Sequence, residues 1–178
     1  VNVAVINDLD LRPLAYAQKK GIDPKNYLKE KIITAFNPKT FKVYKENLIN
    51  GQFVKAFISE SWTLEYCIAL HPYLRKILFK SIKYAIEENR ADNYSGSNVN
   101  YSFIKQLSEK KINKDYLNFI DKKSNEEVAF DMMYNFIEDG KKISKAVIAQ
   151  YFSVFLLNDL TMTKSDLLID NNSVEYLI

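Results

Sequence analysis

The chain opens with the run VAVINDLDLRP, Val3 to Pro13, in which small and β-branched apolar residues end abruptly in two aspartates. No other stretch restricts the fold so tightly. Val1–Ile6 predicts a short strand buried in a core, bounded by Asn and Asp, with Pro13 closing the segment. Side chains alternate along a strand, so Asp8 and Asp10 can point the same way. Two carboxylates held that close repel unless a proton or a cation lies between them. Two readings stand side by side. Asp commonly ends strands and starts turns, for local hydrogen-bonding reasons. Alternatively, the rigid apolar strand before the pair fixes both carboxylates around a divalent cation.

Beyond Pro13, LAYAQKK predicts a helical turn or two, broken at Gly21 and Pro24. Phe41–Val43 and Phe53–Ile58 are predicted as strands around NLING. After Ile58 the pattern changes. Trp62 to Asn89 carries apolar residues at helical spacing, with Ile77, Leu78, Ile82, Tyr84 and Ala85 on a 3.6 period. Pro72 is expected to split this stretch into two helices. Residues 89–100 read as a polar loop and the best hinge. From Tyr101 the pattern is helical again: Asn125 to Gly140 has Glu126 and Glu127 in its first turn and Gly140 past its end, and a further helix follows Ser144 as cap. The early alternation of strands and helices predicts an α/β fold with a mostly parallel sheet, up to about residue 70. A helix-rich part, 71–178, is expected to pack on it or to be inserted into the same domain. In such sheets ligands gather at the carboxyl ends of strands, where Asp8 and Asp10 fall.

Bulk properties narrow the class. With 47% hydrophobic residues in 178, the chain can bury a real core as one domain. Four Gly and four Pro argue against a linker-like chain. A net charge of +3 permits nucleic-acid binding without announcing it. The single cysteine, Cys67, excludes an internal disulfide framework and fits a reducing cytoplasm. No apolar run reaches the roughly 18 residues of a membrane span, and no signal peptide is visible. The chain starts at Val1 rather than Met and ends in SVEYLI, so both ends read as cut from something longer.

A second acidic candidate lies after the second strand. Val54–Ile58 runs into Ser59, and a helix is expected to start near Ser61 or Thr63, which puts Glu65 in its first turn. Glu there complements the helix dipole and Ser or Thr caps it. Glu65 can also close a metal site with the aspartates, since both motifs follow strands and can meet at one edge of the sheet. Carboxylate oxygens suit magnesium or manganese, with water in the remaining positions. Lys145, in the first turn of the last helix, runs against the dipole; it is either a solvated surface lysine or, within reach of the metal, a neutraliser of phosphoryl charge. His71 alone builds neither a zinc site nor a triad. Cys67 has no base partner and reads as a small core residue. DGKK, Asp139 to Lys142, lacks the upstream glycine of a Walker A loop, so no ATP site is expected.

In order, AVINDLDLRP, SESWTLEYCIAL and KKISKAVIAQYF resemble the Toprim nuclease region of OLD-family (overcoming lysogenization defect) ATP-dependent endonucleases, relatives of which include Gabija-type phage-defence nucleases. The resemblance implies a Toprim-like mostly parallel sheet lacking its first strand, and a metal-dependent DNA endonuclease using two Mg2+ or Mn2+ ions. It implies that Asp8 and Asp10 bind one metal, that Glu65 helps bind the second, that Ser61 assists through its hydroxyl and that Lys145 is the lysine of the late helix. It further implies DNA as partner, an ATPase domain upstream in the same parent chain, a homodimer, a cytoplasmic location and no membrane. Two departures are visible: the family's Glu-Gly block would lie before Val1, and the residue after TLEY, often acidic in relatives, is Cys67. The isolated segment is accordingly expected to need the rest of its chain for activity. Two rival expectations remain. A haloacid-dehalogenase-like phosphatase also places D-x-D after its first strand, but Arg12 stands where that family has Thr or Val. A non-catalytic interaction module would use the Tyr- and Phe-rich helical half.

Overall fold

Strand β1 (Val3–Asn7) pairs in parallel with β2 (Val54–Ile58), Val3 opposite Val54 and Asn7 opposite Ile58. A parallel pair needs a long crossover, and this one carries α1 (Leu14–Lys20), a 3-10 turn at Pro24–Asn26, and α2 (Pro38–Ile49). Helices α3 (Leu64–Leu70), α4 (Pro72–Ser95), α5 (Glu109–Ile120), α6 (Asn125–Met132) and α7 (Lys145–Met162) follow. The computed structural model describes residues 2–95, 107–137 and 143–162. Among these the fold is α/β and mostly helical, with seven helices and one two-stranded parallel sheet.

The sequence signals explain most boundaries. Gly21 takes the left-handed conformation, φ +61°, that closes α1. Thr63 caps α3 through its hydroxyl, and Pro72 separates α3 from α4. Ser124 and Glu127 form a reciprocal capping box at the start of α6. A π-helical turn, Met133–Ile137, continues from α6; the expected Gly140 cap lies outside the described residues.

Three expectations change. Phe41–Val43 is helix, not strand. The Asn37 side chain accepts from the backbone amides of Lys39 and Thr40, and Pro38 occupies the first turn, a start signal that outweighs three residues of β-type composition. Helix α4 runs on to Ser95 through part of the expected 89–100 loop; Glu87, Glu88, Arg90 and Ala91 are good helix formers. Finally, β1 is mostly exposed rather than buried. The pairing places Ala4 and Ile6 beside Lys55 and Phe57 on one face, and that face is open, with Ile6 71% and Phe57 49% exposed. The apolar anchor sits just beyond the strand instead: Leu9 and Leu11 are buried with Ala56 and Ile58, and Phe36, Phe41 and Ile49 pack against them.

The chain divides into two compact units. The first joins Val1–Arg75 to Asn118–Lys141. Within it α3 packs on α6, and an aromatic cluster links Tyr16, Trp62, Tyr66, Phe130 and Tyr134. The buried Arg75 guanidinium donates to Asn125 Oδ1 at 3.0 Å. The second unit joins Lys76–Leu117 to Lys142–Ile178. Phe79 packs on Tyr116, and Tyr84 on Tyr151 and Phe155, while Lys83 pairs with Asp115 at 3.1 Å. No helix among the described residues is long and apolar enough to cross a membrane.

Candidate metal centre

Both strands of the parallel pair deliver acidic loops at their carboxyl ends. The loop after β1 is pinned by its middle residue. Leu9 is 1% exposed, so the two aspartates flank a side chain buried in the core. Its amide donates to Ser59 Oγ at 2.8 Å, the Ser59 amide donates to the Asn7 carbonyl at 3.0 Å, and the Asp10 amide donates to the Trp62 carbonyl at 2.7 Å. Asp10 takes a left-handed backbone, φ +62°, which asparagine and aspartate tolerate better than most residues. The loops after β1 and β2 are thus knitted together by main-chain bonds.

Asp8 reaches across this seam. Its Oδ1 accepts from the Leu64 amide at 2.7 Å, at the first turn of α3. The Thr63 hydroxyl accepts from the Tyr66 amide at 3.2 Å. Together they satisfy two of the amides that a helix start leaves without intrahelical partners. Glu65 is the next residue of the same turn, and its Oε2 is removed from solvent. The D-x-D of the first strand and the T-L-E after the second, separated by 56 residues between Asp8 and Leu64, therefore meet at one end of the sheet.

Asp10 turns elsewhere. Its Oδ2 lies 2.6 Å from Lys45 Nζ, on α2. The same ammonium donates to the Asp8 carbonyl and stands 3.4 Å from the Leu9 carbonyl. One helical turn earlier, Lys42 pairs with Glu60 in the loop after β2. Neither lysine figured among the expected site residues. The signal was available: once Asn37-Pro38 is read as a helix start, Lys42 and Lys45 fall at i and i+3 on one face.

Ser61 contributes its main chain, whose carbonyl accepts from the Ser59 hydroxyl at 3.1 Å and from the Cys67 thiol at 3.4 Å. Burial pushes the Cys67 thiol up; bonds to the Ser61 and Glu60 backbone draw it down, and the nearby Glu60 and Asp8 carboxylates add to the rise. Burial also raises the Tyr66 phenol, helped by Glu126 and Cys67. Lys145 is the first residue of α7 and belongs to the second unit.

The donor chemistry suits a hard divalent cation, since every acidic group here offers carboxylate oxygen. The arrangement is more selective. Among the described residues no group of three or more His, Cys, Asp or Glu side chains is set to hold a metal ion. Asp10 already has a cation partner in Lys45. Asp8 stands beside the helix turn that carries Glu65. No family model, curated protein or solved structure matches the chain.

Proposed function

We propose that this chain carries a Toprim-type phosphodiesterase centre of the OLD-family kind, dependent on a divalent cation and directed at DNA. The observation that carries the reading is the bond from the Leu64 amide to Asp8 Oδ1 at 2.7 Å. It joins the two acidic motifs on which the resemblance rests, and it does so at the carboxyl ends of parallel strands, the usual ligand position of such sheets. Asp8 and Glu65 would hold the cation. A cation held there would supply Lewis-acid chemistry, polarising the phosphate and favouring attack by water at neutral pH. The protein's own part is positional. Leu9 in the core, the Ser59 hydroxyl and the Trp62 carbonyl fix the loop so that the Asp8 carboxylate does not have to be ordered when substrate arrives. Contacts of this type address phosphate, not bases, so the centre itself selects little sequence.

The test is nicking of supercoiled plasmid with Mn2+, comparing the wild-type protein with Asp8→Asn and Glu65→Gln. Each variant is expected to lose about a hundredfold or more in rate, the scale of removing a group that stabilises transition-state charge. Nicking at the parental rate by both variants would overturn the assignment.

A further inference from the structure

The two edges of the small sheet are finished differently. The Val3 amide donates to the Phe53 carbonyl at 2.7 Å, and the Asn7 carbonyl accepts from the Ser59 amide at 3.0 Å. Alternate residues of a strand address the same neighbour, so Val3, Val5 and Asn7 bond to β2, and Ala4 and Ile6 turn their N–H and C=O groups away from it. On β2 the residues turned away from β1 are served by the chain itself. The Ala56 amide donates to Asn50 Oδ1 at 2.7 Å, and Gly51 and Val54 bond each other's main chain at 2.9 and 3.4 Å. Among the described residues no third strand pairs with β1 at Ala4 and Ile6. The edge is also undefended. Val3–Asn7 has no charge, no proline and no bulge, the features that keep natural strand edges apart. The one charge on the sheet, Lys55, is on β2.

We infer that β1 is a dimerisation edge, pairing antiparallel with β1 of a second copy of this chain about a two-fold axis at Val5. In that register Ala4 lies opposite Ile6 of the second copy, and the outward amides and carbonyls of both copies all find partners. Val5 meets its own equivalent, a β-branched cross-strand pair, and the small Ala4 leaves room beside the larger Ile6. Charge favours a second copy as the occupant. The strand offers no charge for a charged partner to complement, and two chains of net charge +3 meet here at a neutral surface. A five-residue edge covers less than the roughly 800 Å² per partner of a standard interface, so the dimer is weak and concentration-dependent. The inference does not rest on the proposed function.

The test is sedimentation velocity on the full chain, where monomer is expected to pass to dimer between about 1 µM and about 1 mM. Ala4→Pro removes an outward N–H and leaves the bonds to β2 in place. With Trp62 fluorescence reporting the fold, it is expected to weaken association about tenfold or more. Two cysteine variants read the register and decide the matter should Ala4→Pro not fold. Opposed residues that share no hydrogen bond have Cα atoms about 4.5 Å apart, within reach of a disulfide, so mild oxidation is expected to link Val5→Cys into covalent dimers. Ala4→Cys, with its two copies roughly 7–8 Å apart on the diagonal, is expected not to link. The wild type, with Cys67 as its single cysteine, is the control. A wild type that stays monomeric across the range overturns the inference, and protection of the Ala4 and Ile6 amides from hydrogen exchange in that monomer would put a segment of the same chain on the edge instead. A dimer undisturbed by folded Ala4→Pro, or equal linking through positions 4 and 5, overturns it as well.

Discussion

Replacing Asp8 with alanine strips the Leu64 amide of the carboxylate that caps α3, and the structure gives the size of the effect. Removing a side-chain acceptor from a helix start costs about 0.5–2 kcal/mol, and a hydrogen bond to a charged group contributes about 1.5–3 kcal/mol when it is shielded. The bond here, 2.7 Å long, lies at an exposed position where water can replace the lost oxygen. Thr63 also still serves the Tyr66 amide. The lower end therefore applies, and Asp8→Ala should cost about 1 kcal/mol, a fall of roughly 2–4 °C in Tm for a chain of this size. Asp8→Asn keeps an oxygen acceptor in the same place and should cost no more than about 0.5 kcal/mol. Urea unfolding followed by fluorescence is the assay, because the chain has a single tryptophan, Trp62, which is 3% exposed in the unit that holds the cap. With a typical slope of about 2 kcal/mol per molar, the alanine variant should unfold about 0.5 M earlier. An alanine midpoint that coincides with the wild type, or an asparagine variant as damaged as the alanine one, would refute the capping role. The asparagine variant matters most for function, since it is expected to keep the fold while weakening a ligand.

Two further outcomes follow from the loop and the helix beside it. Leu9→Ala empties a fully buried position between the aspartates and should cost about 2–5 kcal/mol; a loss under about 1 kcal/mol in the same urea experiment would show that the core does not anchor the loop. Cys67 should react slowly with a maleimide or a disulfide reagent at pH 8, because its raised pKa leaves little thiolate there. The rate should climb as the pH rises past the ordinary thiol range, and labelling as fast as that of the urea-unfolded chain would contradict the environment described.

Residues with strong local signals were legible. The short strand before Asp8, the second strand to Ile58, the break at Pro72 and the acidic first turn of α6 each depend on a few neighbouring residues, and each stands in the structure. Burial of β1 was not legible, because it depends on what covers the sheet, and the face carrying Ile6 and Phe57 is open. Phe41–Val43 has β-type composition, and only the Asn37-Pro38 start signal makes it helix. Lys45 faces the loop after β1 because it lies on that helix; a lysine on a short strand has no reason to do so. Proximity of the two acidic motifs could be anticipated from the rule that parallel strands gather ligands at one end. The partner chosen by Asp10 could not, because it requires the packing of α2 on β2.

The crossover between the two strands has a kinetic meaning. Asp8 must find Leu64 across 56 residues, and Lys45 must find Asp10 across 35. Closing a loop of the larger size costs about 3–4 kcal/mol of chain entropy before any contact repays it, and such long-range pairings slow folding. The acidic loop consequently gains its shape only when the strands have paired and α2 has docked, so a nascent chain that ends before β2 has the aspartates but not the bonds that hold them.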